Sequence, residues 1–225
     1  LSGSSSSNII IGSGTGNVAA DISYAVVIGQ NAGYQLTGTA DTAPDYVVLI
    51  GYRAGRLFTS GSGNVVVGDN AFYSAGARQY NTVMGSGAMY DATTASKNIS
   101  IGYQSLANLT TGDSNVVIGY LAADSLTTGF KNIAIGESAL SSDDVGAGHV
   151  AIGGNALVNQ NFASVNNEFE ANISIGNKSS HNNTTGNMNV VIGTAAKYTD
   201  DEGNQTTAIG HQAMYSQNMA SSTTT

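Results

Sequence analysis

The side chains best suited to catalysis in this sequence are carboxylates, and two short groups of them come closest to a recognisable site. Glu168 and Glu170 are the pair that comes nearest to the acid and base of a glycoside hydrolase, but neighbouring strand positions would not place them around a scissile bond. Asp200, Asp201 and Glu202 gather carboxylates without the ligand spacing of a known calcium loop, so we interpret them as a solvated acidic turn. We predict no catalytic residue, no metal site, no cofactor and no enzymatic activity.

Aromatic side chains suggest a different chemistry, the stacking of a ligand on a ring. Phe162 and Phe169 are flanked by Asn and Glu and would suit a sugar-stacking surface, with Glu168 beside them. Tyr73 and Tyr90 are 17 residues apart and each has an apolar face and a polar tip. We take these five residues as candidate ligand-binding residues. The alternatives are a neutral loop for the first three and packing at a rim or between chains for the tyrosines.

A short motif centred on glycine recurs along the chain and must position these side chains. It occurs in twelve copies, and nine of the eleven intervals between its glycines are 17 residues, while the other two are 22 and 23. Self-similarity at a short fixed period is typical of a solenoid. The repeated glycines are Gly12, Gly29, Gly51, Gly68, Gly85, Gly102, Gly119, Gly136, Gly153, Gly176, Gly193 and Gly210.

Each copy contains a predicted strand directly before its glycine. The preceding residue is Ile in ten copies, a second large apolar residue usually stands two positions earlier, and a small or β-branched residue lies between them. This period of 2 predicts a short strand whose two large side chains share one face. We predict an all-β fold, a parallel β-solenoid or β-roll with 12 coils of about 17 residues. A glycine in every copy indicates a bend or a positive φ that a side chain would forbid.

Asparagine stands four residues before the glycine in eight copies, the first of which is Asn8. Stacked coils bring equivalent positions together, so we predict an amide ladder in which each side chain bonds its neighbour or a turn backbone group. His149 occupies this ladder position, while His181 and His211 follow their glycines by five residues and by one. No catalytic or metal spacing joins these histidines, and we predict surface or ladder roles for them. The other ladder residues are Asn64, Asn81, Asn98, Asn115, Asn132, Asn172 and Asn189.

The interior predicted for one coil is thin. We expect it to hold the two large strand residues, the Ala three residues after the glycine and the Leu, Met or Phe that follows, at roughly 1.5–3 kcal/mol per large side chain. Ordering each residue of the coil costs on the order of 1–2 kcal/mol. For one coil, the free energy gained by burying these side chains is small compared with the entropy lost in ordering the coil. A second buried surface would add the missing stabilisation, so we predict a homotrimer with the small middle strand residue at the contact between chains.

Two insertions interrupt the rhythm, at 36–46 and 158–171, and the second contains the phenylalanines named above. Insertions in solenoids leave the coil as loops and often carry binding. The chain begins without Met, so we expect it to be a segment of a longer protein. The predicted organisation is a flexible Ser-rich flank at 1–7, a solenoid domain at 8–215 and a Ser/Thr-rich flank at 216–225.

Composition limits the partners and the compartment. The net charge is −8, and the seven Lys and Arg residues form no patch, which argues against nucleic acid. No stretch approaches the ~20 apolar residues of a membrane span, so we expect no membrane insertion. The chain has no Cys, which fits an extracellular rod held by hydrogen bonds.

The repeats resemble those of known surface fibres. Asn98-Ile-Ser-Ile-Gly-Tyr-Gln-Ser, Asn115-Val-Val-Ile-Gly-Tyr-Leu-Ala and Asn132-Ile-Ala-Ile-Gly-Glu-Ser-Ala are similar to head repeats of trimeric autotransporter adhesins. With turns such as Thr127-Thr128-Gly129, they resemble bacteriophage tail-fibre repeats more closely. The resemblance runs from Asn8 to about Tyr215 and implies a left-handed parallel β-roll with three chains side by side on an adhesive fibre.

The predicted function is therefore structural and adhesive. We expect a trimeric fibre segment, most simply of a phage tail fibre, that is extracellular on a virion surface and presents binding to a host glycan or protein receptor. The alternatives are a bacterial adhesin on a cell surface, a self-assembling extracellular fibre, or an ice-binding solenoid that uses rows of threonine.

Overall fold

The computed structural model describes residues 7–15, 22–36, 46–74, 76–161 and 171–217, which form strands and turns and contain no helix. The chain divides into two compact units, Leu1–Ser114 and Asn115–Thr225. Each unit is a parallel β-solenoid in which one short strand per coil pairs with the strands of neighbouring coils. The predicted all-β class and parallel β-solenoid are confirmed. None of the described residues belongs to a helix with the length and hydropathy needed to cross a membrane.

The first unit contains a parallel sheet whose strands, in the described residues, are three residues long. Its order is β1-β2-β3-β5-β7-β8. Two further short strands, β4 and β6, pair with each other elsewhere in the unit. The bounds are β1 Ile9–Ile11, β2 Val26–Ile28, β3 Val48–Ile50, β4 Phe58–Ser60, β5 Val65–Val67, β6 Gly76–Ala77, β7 Thr82–Met84 and β8 Ile99–Ile101.

The second unit repeats the same plan with a parallel sheet in the order β9-β10-β11-β12-β13-β14. Equivalent repeat positions face each other, as in Ile133↔Val150 and Ile135↔Ile152. The register also holds across the longer 23-residue interval, where Val150 faces Ile173. The bounds are β9 Val116–Ile118, β10 Ile133–Ile135, β11 Val150–Ile152, β12 Ile173–Ile175, β13 Val190–Ile192 and β14 Thr207–Ile209.

The predicted assignment of the two strand faces is wrong. From β2 to β14, the middle residue of each repeat strand, such as Val117 or Ala134, points into the coil and is buried, while Ile10 in β1 is half-buried. The two large residues share a face as predicted, but that face is on the outside, where Ile192 is 38% exposed and Ile173 is 39% exposed. The small middle residue is small because it fills a narrow interior, not because it lies against another chain.

The rest of the interior follows the prediction. Ala139 and Leu140, three and four residues after their glycine, are fully buried, and Ala156 and Leu157 repeat this one coil later. The chain reaches these positions through a tight turn, in which the Ala139 amide donates to the Gly136 carbonyl at 3.3 Å. Ser138 has a φ of 51°, as the third residue of a type II turn requires.

The repeated glycines are required by conformation and by space. Gly136 has a φ of +135°, a backbone conformation that L side chains rarely adopt. A Cβ at Gly136 would lie 2.6 Å from the carbonyl carbon and oxygen of Gly153 in the next coil. Between these coils the Gly153 amide donates to the Ile135 carbonyl at 2.7 Å. The positive φ predicted at these glycines is confirmed.

Replacing Gly136 by alanine should lower the free energy of unfolding by about 3 kcal/mol, since the new methyl group meets backbone that cannot move aside. The free energy of unfolding is measured by urea titration, with circular dichroism as the signal. The matched control is Gly210→Ala, because Gly210 has a φ of +124° but nothing within 4 Å of an added Cβ. We expect a loss of about 1 kcal/mol in the control. Equal losses in the two variants would show that the close approach of the coils contributes nothing.

Candidate functional site

The asparagine ladder is present, and within each unit it links neighbouring coils where Asn occupies this position, while Ala25 and Val47 interrupt it in the first unit. The Asn115 side-chain oxygen accepts the Asn132 backbone N–H at 2.9 Å, and the Asn132 oxygen accepts the His149 backbone N–H at 2.9 Å. The amide nitrogens donate within their own coil, Asn132 to the Gly146 carbonyl at 2.8 Å. In the first unit Asn81 repeats this pattern and also donates to the Asn64 side-chain oxygen at 3.0 Å. The predicted ladder is confirmed, and its asparagines are structural.

His149 carries the ladder across one coil with an imidazole. Its Nδ1 accepts the Asn172 backbone N–H at 3.0 Å, which places the ring proton on Nε2. Nε2 lies 3.5 Å from Oδ2 of Asp143, and both side chains are buried. Burial lowers the pKa of His149 from 6.5 to about 4, so the ring is neutral in the folded protein. The predicted ladder role of His149 is confirmed.

Two interior serine pairs form a contact that the sequence analysis did not identify. Ser100 and Ser105 join their hydroxyls at 2.6 Å in the first unit, and Ser174 and Ser179 do so at 2.7 Å in the second. A serine at the middle strand position occurs only where a serine also stands three residues after the glycine. This pairing was visible in the sequence as a co-occurrence.

A line of buried polar side chains runs through the interior of the second unit. We call these residues, each seven positions after a repeat glycine, the inner polar column: Asp143, Gln160, Asn183 and Asp200, all fully buried. The preceding coil of this unit has Leu126 at the same position. Asp143 and Asp200 accept the backbone N–H groups of Gly146 and Gly203. The column therefore replaces apolar packing with hydrogen bonds in consecutive coils.

Lys197 is buried in this interior. Its side chain has no solvent exposure, and Nζ lies 3.3 Å from Oδ2 of Asp200 and 2.8 Å from Oδ1 of Asn183. Burial lowers the pKa of Lys197, while the charge and hydrogen bond of Asp200 and the charge of Asp201 raise it. The expected solvated acidic turn is thus wrong for Asp200, which points inward. Among the described residues no group of three His, Cys, Asp or Glu could hold a metal ion.

Aromatic side chains stack in columns on the outside of the coils. Tyr73 and Tyr90 lie 4.8 Å apart between ring centroids and are nearly parallel. Arg56 covers the Tyr73 ring at 5.6 Å, donates to its hydroxyl at 3.0 Å, and lies 5.1 Å from the Tyr34 ring. The faces of Tyr73 are thus occupied, and a ligand would meet ring edges and hydroxyl groups. Tyr73 and Tyr90 remain candidate ligand-binding residues on those terms.

The second unit contains a similar column. His181 stacks on Tyr198 at 4.9 Å, and Tyr198 stacks on Tyr215 at 5.1 Å. The His181 Nδ1 also lies 3.0 Å from the Asn182 side-chain oxygen. His211 is exposed. These positions fit the surface role predicted for His181 and His211.

The candidate loop residues Phe162, Glu168 and Phe169 lie outside the described residues, as does the Glu170 considered with them. Most of the first insertion, 37–45, also lies outside them. What the structure describes of the second insertion is its start, where the Asn161 amide donates to the Thr184 carbonyl at 2.8 Å. The predicted binding role of this loop therefore stays a prediction.

The outer strand face is apolar in both units. In the second unit its residues are Val116, Ile118, Ile133, Ile135, Val150, Ile152, Ile173, Ile175, Val190, Ile192, Thr207 and Ile209. In the first unit the equivalent positions also carry only Ile and Val, apart from Thr82 and Met84. When one face of a sheet contacts water, the residues on that face are normally polar. Large exposed apolar patches are uncommon on monomeric proteins and are often found where proteins associate.

The threonine rows are bonded into the backbone. The Thr93 hydroxyl donates to the Thr110 carbonyl at 2.9 Å in the first unit. In the second unit the Thr127 hydroxyl donates to the Asp144 carbonyl at 2.9 Å, and Thr184 donates to the Asp201 carbonyl at 3.2 Å. An ice-binding face needs hydroxyl groups that are available to water, so these contacts weigh against the ice-binding alternative.

Comparison with known proteins gives no match among family profiles, curated proteins or solved structures.

The neutral His149 should make the fold sensitive to mild acid. Because its folded pKa of about 4 lies below 6.5, the unfolded chain binds a proton first as the pH falls. The stabilisation is fully present above pH 6.5 and is lost as the pH falls through 4, by up to about 3 kcal/mol. Urea unfolding at several values between pH 7 and pH 4 measures this loss of stability.

The control is His149→Asn, which supplies an amide oxygen for the Asn172 N–H and does not titrate. Asp143, which faces the ring, is present in both proteins. Parallel pH profiles for the two proteins would contradict the assignment of His149 as a neutral acceptor.

Proposed function

We propose that this chain is a structural and adhesive segment of a homotrimeric fibre, with the outer strand faces of three copies in contact. The observation that carries the proposal is the absence of any charged residue from the outward strand positions that the structure describes in both units. A lone chain would leave an isoleucine, valine or methionine at least partly exposed on each of these outer strands. Covering such side chains contributes roughly 25 cal/mol per Å² of apolar surface.

A second copy of the same chain fits this face better than an unrelated partner does. The apolar pairs recur once per coil, at the strand spacing of about 4.8 Å. A partner that covers the outer residues of every coil must carry a row of apolar side chains at the same spacing. Another copy of this chain carries such a row. Three copies, a left-handed coil and a virion location follow from the resemblance of the motif to phage tail-fibre repeats, and belong to the proposal.

The mechanism of such a fibre is mechanical and multivalent. Stacked coils joined by hydrogen bonds make a stiff body, and three chains present every surface feature three times. Weak individual contacts to a host-surface glycan or protein then add up through effective concentration. We propose that the function is binding, without turnover of a substrate.

Assembly is tested by Ile192→Asp, with Val191→Asp as the matched variant on the opposite face of the same strand. The wild type should scatter light as a species of three times the 22.8 kDa chain mass at micromolar concentration. Ile192 is 38% exposed in one chain, so its replacement should give a folded monomer, whereas Val191 is fully buried and its replacement should unfold the coil.

The readouts are multi-angle light scattering for mass and circular dichroism for strand content. A wild-type monomer at micromolar concentration would overturn the trimer. A trimer that persists in Ile192→Asp would mean that another surface joins the chains.

Adhesion is tested by flow cytometry of labelled protein on a panel of bacterial strains and on a glycan array. Replacing 162–170 by a Gly/Ser linker should abolish binding, while the same replacement of 37–45 in the first insertion is the control. The monomeric Ile192→Asp form should bind at least tenfold more weakly through loss of avidity. Equal binding by both loop variants would exclude the second insertion as the contact region.

A further inference from the structure

Three buried side chains of the second unit meet in an arrangement that permits bond formation. Lys197, Asn183 and Asp200 are all fully buried. Lys197 occupies the position four residues after a repeat glycine, where Leu140 and Leu157 stand in other coils of the unit. Nothing in the packing of the repeat requires an amine there.

The geometry brings a nucleophile to a carbonyl. The Lys197 Nζ donates a hydrogen bond to Oδ1 of Asn183 at 2.8 Å, which holds the amine next to that carboxamide group. The Asn183 amide nitrogen donates to the Gly186 carbonyl at 2.8 Å and to Oε1 of Gln160, which fixes the plane of the amide. Reacting groups held in one orientation gain a large entropic advantage over the same groups in solution.

The third residue supplies proton transfer. Oδ2 of Asp200 lies 3.3 Å from the Lys197 Nζ. Burial removes water from the ammonium form of Lys197, which disfavours that charged form relative to the neutral amine. Burial is also the largest influence on the pKa of Lys197, and it lowers it. A neutral amine is the form of lysine that attacks a carbonyl.

We propose that Lys197 and Asn183 form an intramolecular isopeptide bond, with Asp200 as the proton carrier. The Nζ lone pair forms a bond to Cγ of Asn183, and the bond from Cγ to Nδ2 breaks. Nζ gives up one proton through Asp200, the leaving nitrogen gains one, and ammonia departs. Asp200 ends the reaction in its starting state, and the exchange of one amide for another needs no oxidant, reductant or further reactant.

The product is a covalent link between two neighbouring coils. It closes the segment from 183 to 197 and joins the inner polar column to the body of the next coil. A cross-link of this kind stabilises chiefly by restricting the unfolded chain. The inference does not depend on the proposed fibre function, because the three residues belong to one chain and one unit.

The test is the intact mass of the folded full-length chain by electrospray mass spectrometry, after incubation at pH 7. We expect a mass lower than the calculated one by one ammonia. Digestion should yield a branched peptide that joins Lys197 to Asn183. A folded wild type with the full calculated mass, or without the branched peptide, overturns the proposal.

Two variants separate this reaction from cyclisation of an asparagine, which also releases ammonia. Lys197→Leu places in this coil the residue that Leu140 and Leu157 supply in other coils of the unit, and should fold and keep the full mass. Asp200→Asn preserves size and hydrogen bonding but cannot carry the proton, and should also keep the full mass. Persistence of the ammonia loss in Lys197→Leu would assign it to cyclisation and overturn the isopeptide. Circular dichroism confirms that each variant is folded.

Discussion

Each coil lies in register on the coil before it, and the rest of each unit depends on that stacking. Backbone N–H and C=O groups pair from coil to coil at every strand. The repeated glycines allow neighbouring coils to approach each other where a Cβ would not fit. Once the register is set, equivalent side chains must lie one above another. The asparagine ladder, the aromatic columns and the inner polar column are consequences of this one constraint, each with its own chemistry.

The same constraint explains which parts of the fold could be predicted from sequence. Gly136 and Asn132 were predictable because a column tolerates few alternatives, so the residue recurs with its spacing. The direction of the strand faces was not, because Ile and Val suit an interior and an interface equally well. The choice depended on how narrow the coil is, and that follows from turns such as Gly136–Ala139, in which non-glycine residues adopt positive φ.

The candidate site was less predictable than the fold. The positions of Asp200 and Lys197 in the repeat place both inside the coil, but charged side chains are normally expected to be exposed to solvent. Their burial becomes reasonable only with the contacts to Asn183 and to the Gly203 backbone, which are properties of the folded chain. For Phe162 and Phe169 the repeat offers no guide, because an insertion follows no column. His149 shows the intermediate case, in which the repeat gave the position and the structure gave the protonation state.

The register across the two longer intervals has a consequence for how such a chain can change its length. Val26 pairs with Val48 and Val150 with Ile173, although these intervals hold five and six residues more than 17. Extra residues are accepted where they do not alter which strand positions meet. Recombination between repeats that adds or removes a complete coil leaves every remaining column intact. An exchange that is out of phase by one residue would instead move the side chains of the affected strand to the opposite face. The gene for such a chain can therefore lengthen or shorten in whole coils, and its length is an inherited variable that selection can adjust without redesigning the fold.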